Sequence, residues 1–188
     1  IPIQTIPDYR LGDASAADLD GDGELEIVLH QHSNGRDNGS AGTTGRPILD
    51  AYKLDGKHLW RIDLGINIRE GQHYTQFMVY DFNGDGRAEL ACKTADGTRD
   101  GKGMVIGDSG KDWRNREQGT NRFGRILEGP EFLTLFDGLT GAALDTVPYI
   151  PGRDPIDGWG GIGGNGGNDR YGNRCDRFLA CVAYLDGA

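Results

Sequence analysis

The sequence predicts an all-β protein in which four-stranded antiparallel units repeat as blades of a β-propeller. The chain has 188 residues with 32 glycines and only 36% hydrophobic residues, a composition typical of strands joined by turns. An acidic nine-residue motif occurs twice, at residues 18–26 and 81–89. An apolar run that ends in Asp-Gly also recurs, at residues 49–56 and 132–138. Repetition of both elements in the same order indicates a repeat architecture, with a β-sandwich as the alternative.

The apolar alternation places four strands in each unit. In the first unit we expect strands at residues 14–19, 25–31, 48–54 and 59–63. In the second unit we expect them at 75–81, 88–94, 131–136 and 143–147, and residues 178–186 are the predicted first strand of a third.

These strands define a single partial propeller domain over residues 1–188. Blade one covers about 13–65, blade two about 66–150, and a connector with the start of blade three covers 151–188. A propeller needs four or more blades to close. We therefore expect the remaining blades in the same chain or in companion chains.

The repeated acidic motif has the ligand spacing of a Ca²⁺ loop. Oxygen-bearing side chains stand at positions 1, 3 and 5, a glycine at 6 permits a sharp bend, and a glutamate stands at 9. The residue at position 7 would bind through its backbone carbonyl. The predicted ligands are Asp18, Asp20, Asp22, Glu24 and Glu26 in the first loop, and Asp81, Asn83, Asp85, Arg87 and Glu89 in the second. A pair of acidic surface turns is the simpler alternative.

The order of strands sorts the connections onto two opposite faces. The turn face carries both acidic loops and the Asp-Gly turns at 55–56 and 137–138. The loop face carries the long segments 32–47, 64–74, 95–130 and 148–177. Because long loops in a compact domain are usually functional, we expect ligand binding on the loop face.

Several side chains at the strand ends of the loop face are candidates for substrate binding. The candidates are His30, His32, His73, Tyr74, Lys93, Arg174 and Arg177. Arginine forms a two-pronged donor that suits carboxylates. Structural alternatives stand beside each one: packing for the histidines, a salt bridge or a further Ca²⁺ loop at Asp96 and Asp100 for Lys93, and pairing with Asp176 for the arginines. We expect Trp60 and Phe132 in the core, and Trp113 and Trp159 in loops where they are available for sugar stacking.

Charge and cysteine content narrow the class of protein. A net charge of −9 argues against nucleic acid as a partner, and the chain has no apolar run of about 18 residues that would cross a membrane. Acidic Ca²⁺ loops favour a secreted, extracellular or periplasmic protein, where free Ca²⁺ is plentiful. The three cysteines are Cys92, Cys175 and Cys181. We expect buried thiols at Cys92 and Cys181, with a bridge between these two as the alternative.

Longer strings in the sequence closely resemble the propeller of bacterial family 11 rhamnogalacturonan lyases. The resemblance is carried by residues 18–26, 49–65 (LDAYKLDGKHLWRIDLG), 73–81, 93–97, 129–134 and 171–180. It implies an eight-bladed, Ca²⁺-rich propeller of secreted enzymes that degrade pectin. It also implies cleavage of the bond from rhamnose to galacturonic acid by β-elimination. The chain would represent the N-terminal blades, and the residues that abstract the proton would lie in later blades, beyond Ala188.

Two departures from the family pattern affect predicted sugar contacts. The family carries Asn-Asp-Ala-Ser where this chain has Gly12-Asp-Ala-Ser, and Lys-Trp-Asp-Pro-Ser where it has His30-Gln-His-Ser-Asn. Glycine and His32 thus stand where the family has asparagine and aspartate. The leading interpretation is a Ca²⁺-dependent lyase acting on pectic rhamnogalacturonan. The alternative is a non-catalytic glycan-binding or adhesive propeller.

Overall fold

A computed structural model describes residues 3–36, 40–71, 75–150 and 180–183 of the chain. Within these residues the chain forms ten β-strands and no α-helix. The strands are β1 (Arg10–Ala17), β2 (Glu26–His32), β3 (Ile48–Tyr52), β4 (His58–Asp63), β5 (Phe77–Tyr80), β6 (Glu89–Ala95), β7 (Thr98–Arg99), β8 (Val105–Ile106), β9 (Glu131–Phe136) and β10 (Ala143–Pro148). No helix in the described part of the chain has the length and apolar character needed to span a membrane.

The strands form two antiparallel sheets, each built as a meander. The first sheet has the order β1-β2-β3-β4-β7-β8, and the second has the order β5-β6-β9-β10. The first strands of the two sheets, β1 and β5, are in contact. The structure therefore confirms an all-β chain in which the four predicted strands of each unit pair in sequence order.

The predicted strand positions agree with the structure to within a few residues, with two exceptions. β1 starts at Arg10 rather than residue 14, and it ends at Ala17, before the acidic loop. The segment 95–130 is also not a plain loop, because β7 and β8 form a short hairpin that extends the first sheet through the pair Asp63–Arg99. Such short strands have too few residues for apolar alternation to reveal them. Of the predicted strand at 178–186, only residues 180–183 are described, and they form no strand.

The core lies on the inner strands and joins the two sheets. β3 is buried along its whole length, and β6 is buried at all positions but one. Trp60 is buried as predicted, and its indole Nε1 donates a hydrogen bond to the carbonyl of Gly138 at 2.6 Å. Phe132 is only partly buried against this core. One tryptophan of the first sheet thereby anchors a turn of the second.

The predicted turn face is confirmed by contacts between its connections. The amide of Ala88, beside the second acidic loop, donates to the carbonyl of Asp18 in the first loop at 2.7 Å. A side chain at Gly138 would collide with the carbonyl of Ala88. The two acidic loops and the second Asp-Gly turn therefore lie together on one face of the molecule.

The cysteines only partly match the expectation. Cys92 is buried and unbridged, as predicted, and burial raises the pKa of its thiol to about 12. Cys181 is also unbridged but exposed, so the prediction of a buried thiol there was wrong. The short strand that would have buried Cys181 does not form in residues 180–183. Cys175 lies outside the described residues.

Candidate functional site

The two acidic loops fold in the same way, bond for bond. In the first loop, Asp18 accepts hydrogen bonds from the amides of Gly21 (2.6 Å) and Gly23 (2.9 Å). In the second, Asp81 accepts them from Gly84 (2.6 Å) and Gly86 (2.8 Å). The closing glutamates are equivalent too, because each accepts the amide of the residue at position 2 of its loop, at 2.8 and 2.9 Å. The repeat seen in the sequence is thus a repeat of structure.

Glycine conformation explains a feature of the motif beyond position 6. Gly21 and Gly23 have φ angles of 81° and 87°, and Gly84 and Gly86 have 76° and 89°. Residues with a Cβ rarely adopt this left-handed region. Each loop therefore needs glycine at position 4 as well as position 6, which folds the backbone around the carboxylates.

The loops converge oxygen atoms in the manner that a hard cation requires. One carboxylate oxygen each from Asp18, Asp20 and Asp22 lie within 4.8 Å of one another. Asp81, Asp85 and Glu89 form the same kind of group in the second loop. Oxygen-only ligands at this spacing fit Ca²⁺ in both loops. The other predicted ligands, Glu24, Glu26, Asn83 and Arg87, lie within the same two nine-residue motifs.

A lysine that sequence reasoning missed reaches into the first loop. Lys53 lies in the turn between β3 and β4, and its ammonium forms ion pairs with Asp20, Asp22 and Glu26. Its hydrogen bond is the main cause of the lowered pKa of Asp22. In the second loop the amide of Arg87 is the main cause of the lowered pKa of Asp85, and the Arg87 guanidinium adds to it at 3.2 Å. The ion pairs of Lys53 could not be predicted from the sequence, because Lys53 lies 27 residues after Glu26, the last residue of the motif.

On the loop face, the two histidines of β2 lie side by side as alternation predicted. The ring centroids of His30 and His32 are 5.6 Å apart. His30 is 5% exposed, and its Nε2 has no hydrogen-bond partner among the described residues. Burial, assisted by the neighbouring His32, lowers the pKa of His30 to about 4. The ring is therefore neutral at physiological pH.

The glycine at position 12 makes room for this histidine. The pairing of β1 with β2 shifts register between Leu11 and Ala14, so Gly12 and Asp13 form an irregularity opposite His30. A Cβ on Gly12 would lie 2.6 Å from Nδ1 of His30. Glycine at residue 12, where the family has asparagine, therefore leaves the space that the His30 ring occupies.

Lys93 forms a salt bridge, which was the structural alternative to substrate binding. Its ammonium lies 2.8 Å from Glu131, and the two side chains are 11% and 3% exposed. It also lies 5.7 Å from the ring centroid of Tyr149. Asp96 accepts hydrogen bonds from Asp108 and Trp113, and Asp100 accepts them from three backbone amides. Among the described residues, neither aspartate belongs to a cluster of metal-ligating side chains.

The Trp113 side chain is held in place by a hydrogen bond and by packing against backbone. Its Nε1 donates to Asp96 at 2.8 Å, and a Cβ on Gly129 would lie 2.5 Å from its ring. Trp113 therefore packs one face against backbone. The other predicted candidates, His73, Tyr74, Trp159, Arg174 and Arg177, lie outside the described residues.

A groove of about 710 Å³ opens on the loop face between β1 and the second sheet. Its polar lining comes from Asp13, Ser15, Thr75, Gln76 and Lys93, and Tyr149 adds an aromatic ring. Apolar residues, among them Phe77 and Leu133, also line it. Of the three predicted substrate residues that the structure describes, His30, His32 and Lys93, only Lys93 lines this groove. Sequence reasoning missed the other lining residues because no motif joins them.

The fold and these sites define a class: an all-β protein of antiparallel meanders with twin acidic loops on one face. Comparison with known proteins supplies the family. The model of the C-terminal domain of rhamnogalacturonan lyase family 11 matches residues 4–188, and the chain belongs to that family. The match corrects our placement of the chain at the N-terminal blades, because the matched domain is the C-terminal one. Resemblance within a domain does not reveal where the domain lies in a longer protein.

Relatives of the same kind are known from Bacillus. The chain is 58% identical over 180 residues to rhamnogalacturonan exolyase YesX of Bacillus subtilis, and 54% identical to rhamnogalacturonan endolyase YesW of the same organism. Each match covers 95% of this chain but 27% of the relative. Among solved structures, a rhamnogalacturonan lyase of Bacillus licheniformis matches with a TM-score of 0.85 and 56% identity, covering 97% of this chain and 30% of that one. The chain therefore spans about a quarter to a third of these relatives.

Proposed function

We propose that the intact protein is a Ca²⁺-dependent polysaccharide lyase that cleaves pectic rhamnogalacturonan by β-elimination. The identity of 58% to a rhamnogalacturonan exolyase is the observation that carries this proposal. This match extends over 95% of the chain. Exo and endo relatives match this chain almost equally, so the proposal concerns the bond cleaved and not its position in the polymer.

The reaction sets three requirements for the protein. A base removes the proton from C5 of the uronate, the electron pair forms a double bond between C4 and C5, and the C4–O bond breaks. The leaving oxygen takes a proton, and a cationic group relieves the charge on the uronate carboxylate. A bound Ca²⁺ supplies such a positive charge when it is present. We place the base outside this chain.

This chain would then form one wall of the substrate cleft. The groove beside β1 and β5 combines hydroxyl, amide and charged groups with apolar residues, as sugar sites do. His30 and His32 stand on the same face, and a neutral imidazole can donate or accept a hydrogen bond from a sugar hydroxyl. We include His73, Tyr74, Lys93, Arg174 and Arg177 in the proposed contact set.

The acidic loops are proposed as structural Ca²⁺ sites on the opposite face. Asp18, Asp20, Asp22, Glu24 and Glu26 would hold one ion, and Asp81, Asn83, Asp85, Arg87 and Glu89 would hold the other. The ordered meanders support a complete β-propeller with blades at about 13–65 and 66–150 and a third starting within 151–188. A secreted location follows from the Ca²⁺ requirement and the polymeric substrate.

A second candidate is a glycan-binding propeller without catalysis. The replacement of two predicted sugar contacts favours it, because Gly12 and His32 stand where the family has asparagine and aspartate, and the His30 ring occupies the space that a side chain at residue 12 would need. Incubation of the intact protein with rhamnogalacturonan distinguishes the two functions. Release of ultraviolet-absorbing unsaturated uronate supports the lyase. Binding of the polysaccharide without that product supports the binding protein and overturns the lyase.

A further inference from the structure

Glu70 is a fully buried carboxylate on the loop face that no motif predicted. It lies in the segment after β4, and its side chain is 0% exposed. Its Oε1 accepts the amide of Ser33 at 2.5 Å, and its Oε2 accepts the amides of Asn34 at 2.7 Å and Gly45 at 3.0 Å. Three backbone donors therefore converge on a single side chain. We call this arrangement, Glu70 with Ser33, Asn34 and Gly45, the carboxylate clamp.

The clamp joins two arms of the connection between β2 and β3, residues 33–36 and 40–45. A charged acceptor roughly doubles the strength of a hydrogen bond, and burial away from water prevents solvent from competing for it. The backbone of Glu70 adds two further bonds, since its amide donates to Oγ1 of Thr44 at 3.0 Å and its carbonyl accepts from Arg36 at 3.1 Å. Both arms thus depend on one residue for their position.

The packing around the clamp allows little adjustment. A Cβ on Gly45 would lie 2.0 Å from Oγ of Ser33 and 2.8 Å from Oε2 of Glu70. Gly35 is a neighbour of His32 and Gly71 without crowding, since an added Cβ would lie 3.4 Å from Nδ1 of His32 and 3.5 Å from Cα of Gly71. The first arm, His32 and the segment that holds Glu70 therefore meet at one place. Ser33, which the clamp holds, follows His32 directly in the chain, so movement of the clamp would shift the backbone that carries His32.

We propose that Glu70 is a positioning residue that holds the two arms and His32 in place as a wall of the carbohydrate site. This inference rests on the proposed function, because it assumes that the loop face binds rhamnogalacturonan. Glu70 itself does not touch the substrate. It acts by holding the backbone that presents His32, so its loss weakens substrate binding more than it slows bond cleavage.

The test replaces Glu70 in the intact protein with glutamine, which keeps the size but removes the charge. An amide group has one oxygen for three backbone donors, and its own NH₂ faces one of them. Glu117→Gln is the matched control, because Glu117 is exposed on a neighbouring loop of the same face and its side chain forms no hydrogen bond or ion pair with the described residues. We expect KM for rhamnogalacturonan to rise about five- to tenfold in E70Q with kcat within about twofold of wild type. E117Q should match wild type in both.

Hydrogen exchange provides the second measurement. The amides of Ser33, Asn34 and Gly45 should lose protection in E70Q while strands β3 and β6 keep theirs. Unchanged protection at these three amides would overturn the clamp, and lost protection with an unchanged KM would overturn its role in substrate binding. If wild-type protein releases no unsaturated uronate, the lyase proposal fails instead. In that case the affinity for rhamnogalacturonan oligosaccharide replaces KM, and an equal affinity in E70Q and wild type would overturn the inference.

Discussion

The ammonium Nζ of Lys53 lies 2.6 Å from Oδ2 of Asp20, inside the first acidic loop. The same ammonium lies 2.9 Å from Asp22 and 3.2 Å from Glu26. The first loop has five carboxylates and the second has three, because Asn83 and Arg87 take the places that Asp20 and Glu24 have in the first. The Lys53 ammonium therefore offsets one of the two extra carboxylates, and the first loop stays the more negative of the two even with this lysine.

Removal of this ammonium should strengthen metal binding at the first loop. A positive charge beside the ligands opposes a divalent cation, so we expect Lys53→Met to raise Ca²⁺ affinity there about fivefold. Calorimetric titration of the intact protein with Asp81→Ala as background isolates the first loop. Lys57→Met, in the same turn, is the control, because the exposed Lys57 side chain forms no hydrogen bond or ion pair with the described residues. An affinity that falls or stays constant in K53M would contradict the charge argument.

Removal of Ca²⁺ should lower the stability of the protein. A ligand that binds only the folded state contributes about 2.7 kcal/mol to the free energy of unfolding when its free concentration is about 100 times Kd. We expect a chelator to lower Tm by several degrees, and restored Ca²⁺ to reverse the change. Glu89→Gln, which weakens the second loop, should reduce the drop. A Tm that ignores the chelator would show that neither loop holds a stabilising ion.

The buried His30 should make stability depend on pH. Its pKa is about 4 in the folded protein against 6.5 ordinarily, so between these values the unfolded chain binds the extra proton. Stability from this residue is complete above about pH 6.5 and falls as the pH drops towards 4, by up to about 3 kcal/mol. Urea unfolding across this range in wild type and His30→Gln measures it. The variant should show a flatter profile, and identical profiles would place the pH dependence elsewhere.

The contact between Gly12 and His30 should produce non-additive mutations. Gly12→Ala places a Cβ 2.6 Å from the ring and should destabilise the protein by about 1–3 kcal/mol. Removing the ring with His30→Ala relieves the clash, so the double variant should lose less than the sum of the two singles. Gly35→Ala, where the nearest atom is 3.4 Å from the added Cβ, is the control. Additive losses in a urea-unfolding cycle would refute the steric link.

Cys92 should be unreactive in the folded protein. It is 3% exposed, and burial raises its pKa to about 12, so almost no thiolate exists at neutral pH. We expect iodoacetamide at pH 8 to leave Cys92 unmodified in native protein and to modify it fully in urea, as followed by peptide mass mapping. Modification of Cys92 at equal rates in both conditions would show that the second sheet opens readily.

The strands and the acidic loops were predictable from the sequence because their causes are local. Apolar alternation in the inner strands, the Asp-Gly turns and the spacing of oxygen ligands all act over fewer than ten residues. The predicted pairing of the eight strands followed from their order, since consecutive strands usually pair. The hairpin of β7 and β8 escaped prediction because two-residue strands carry no periodic signal.

Contacts between distant segments were decided only by the tertiary structure. Lys53 reaches a loop that ends 27 residues earlier at Glu26, and Glu70 binds amides up to 37 residues away at Ser33. No spacing rule connects such residues, since the backbone path between them sets where they meet. The same holds for Lys93. The sequence left open whether it binds substrate or forms a salt bridge, and its partner Glu131 lies on β9 beside β6. Local chemistry thus specified the repeating strands and turns, whereas the packing of one connection against another specified which charged groups are paired, buried or left to bind a ligand.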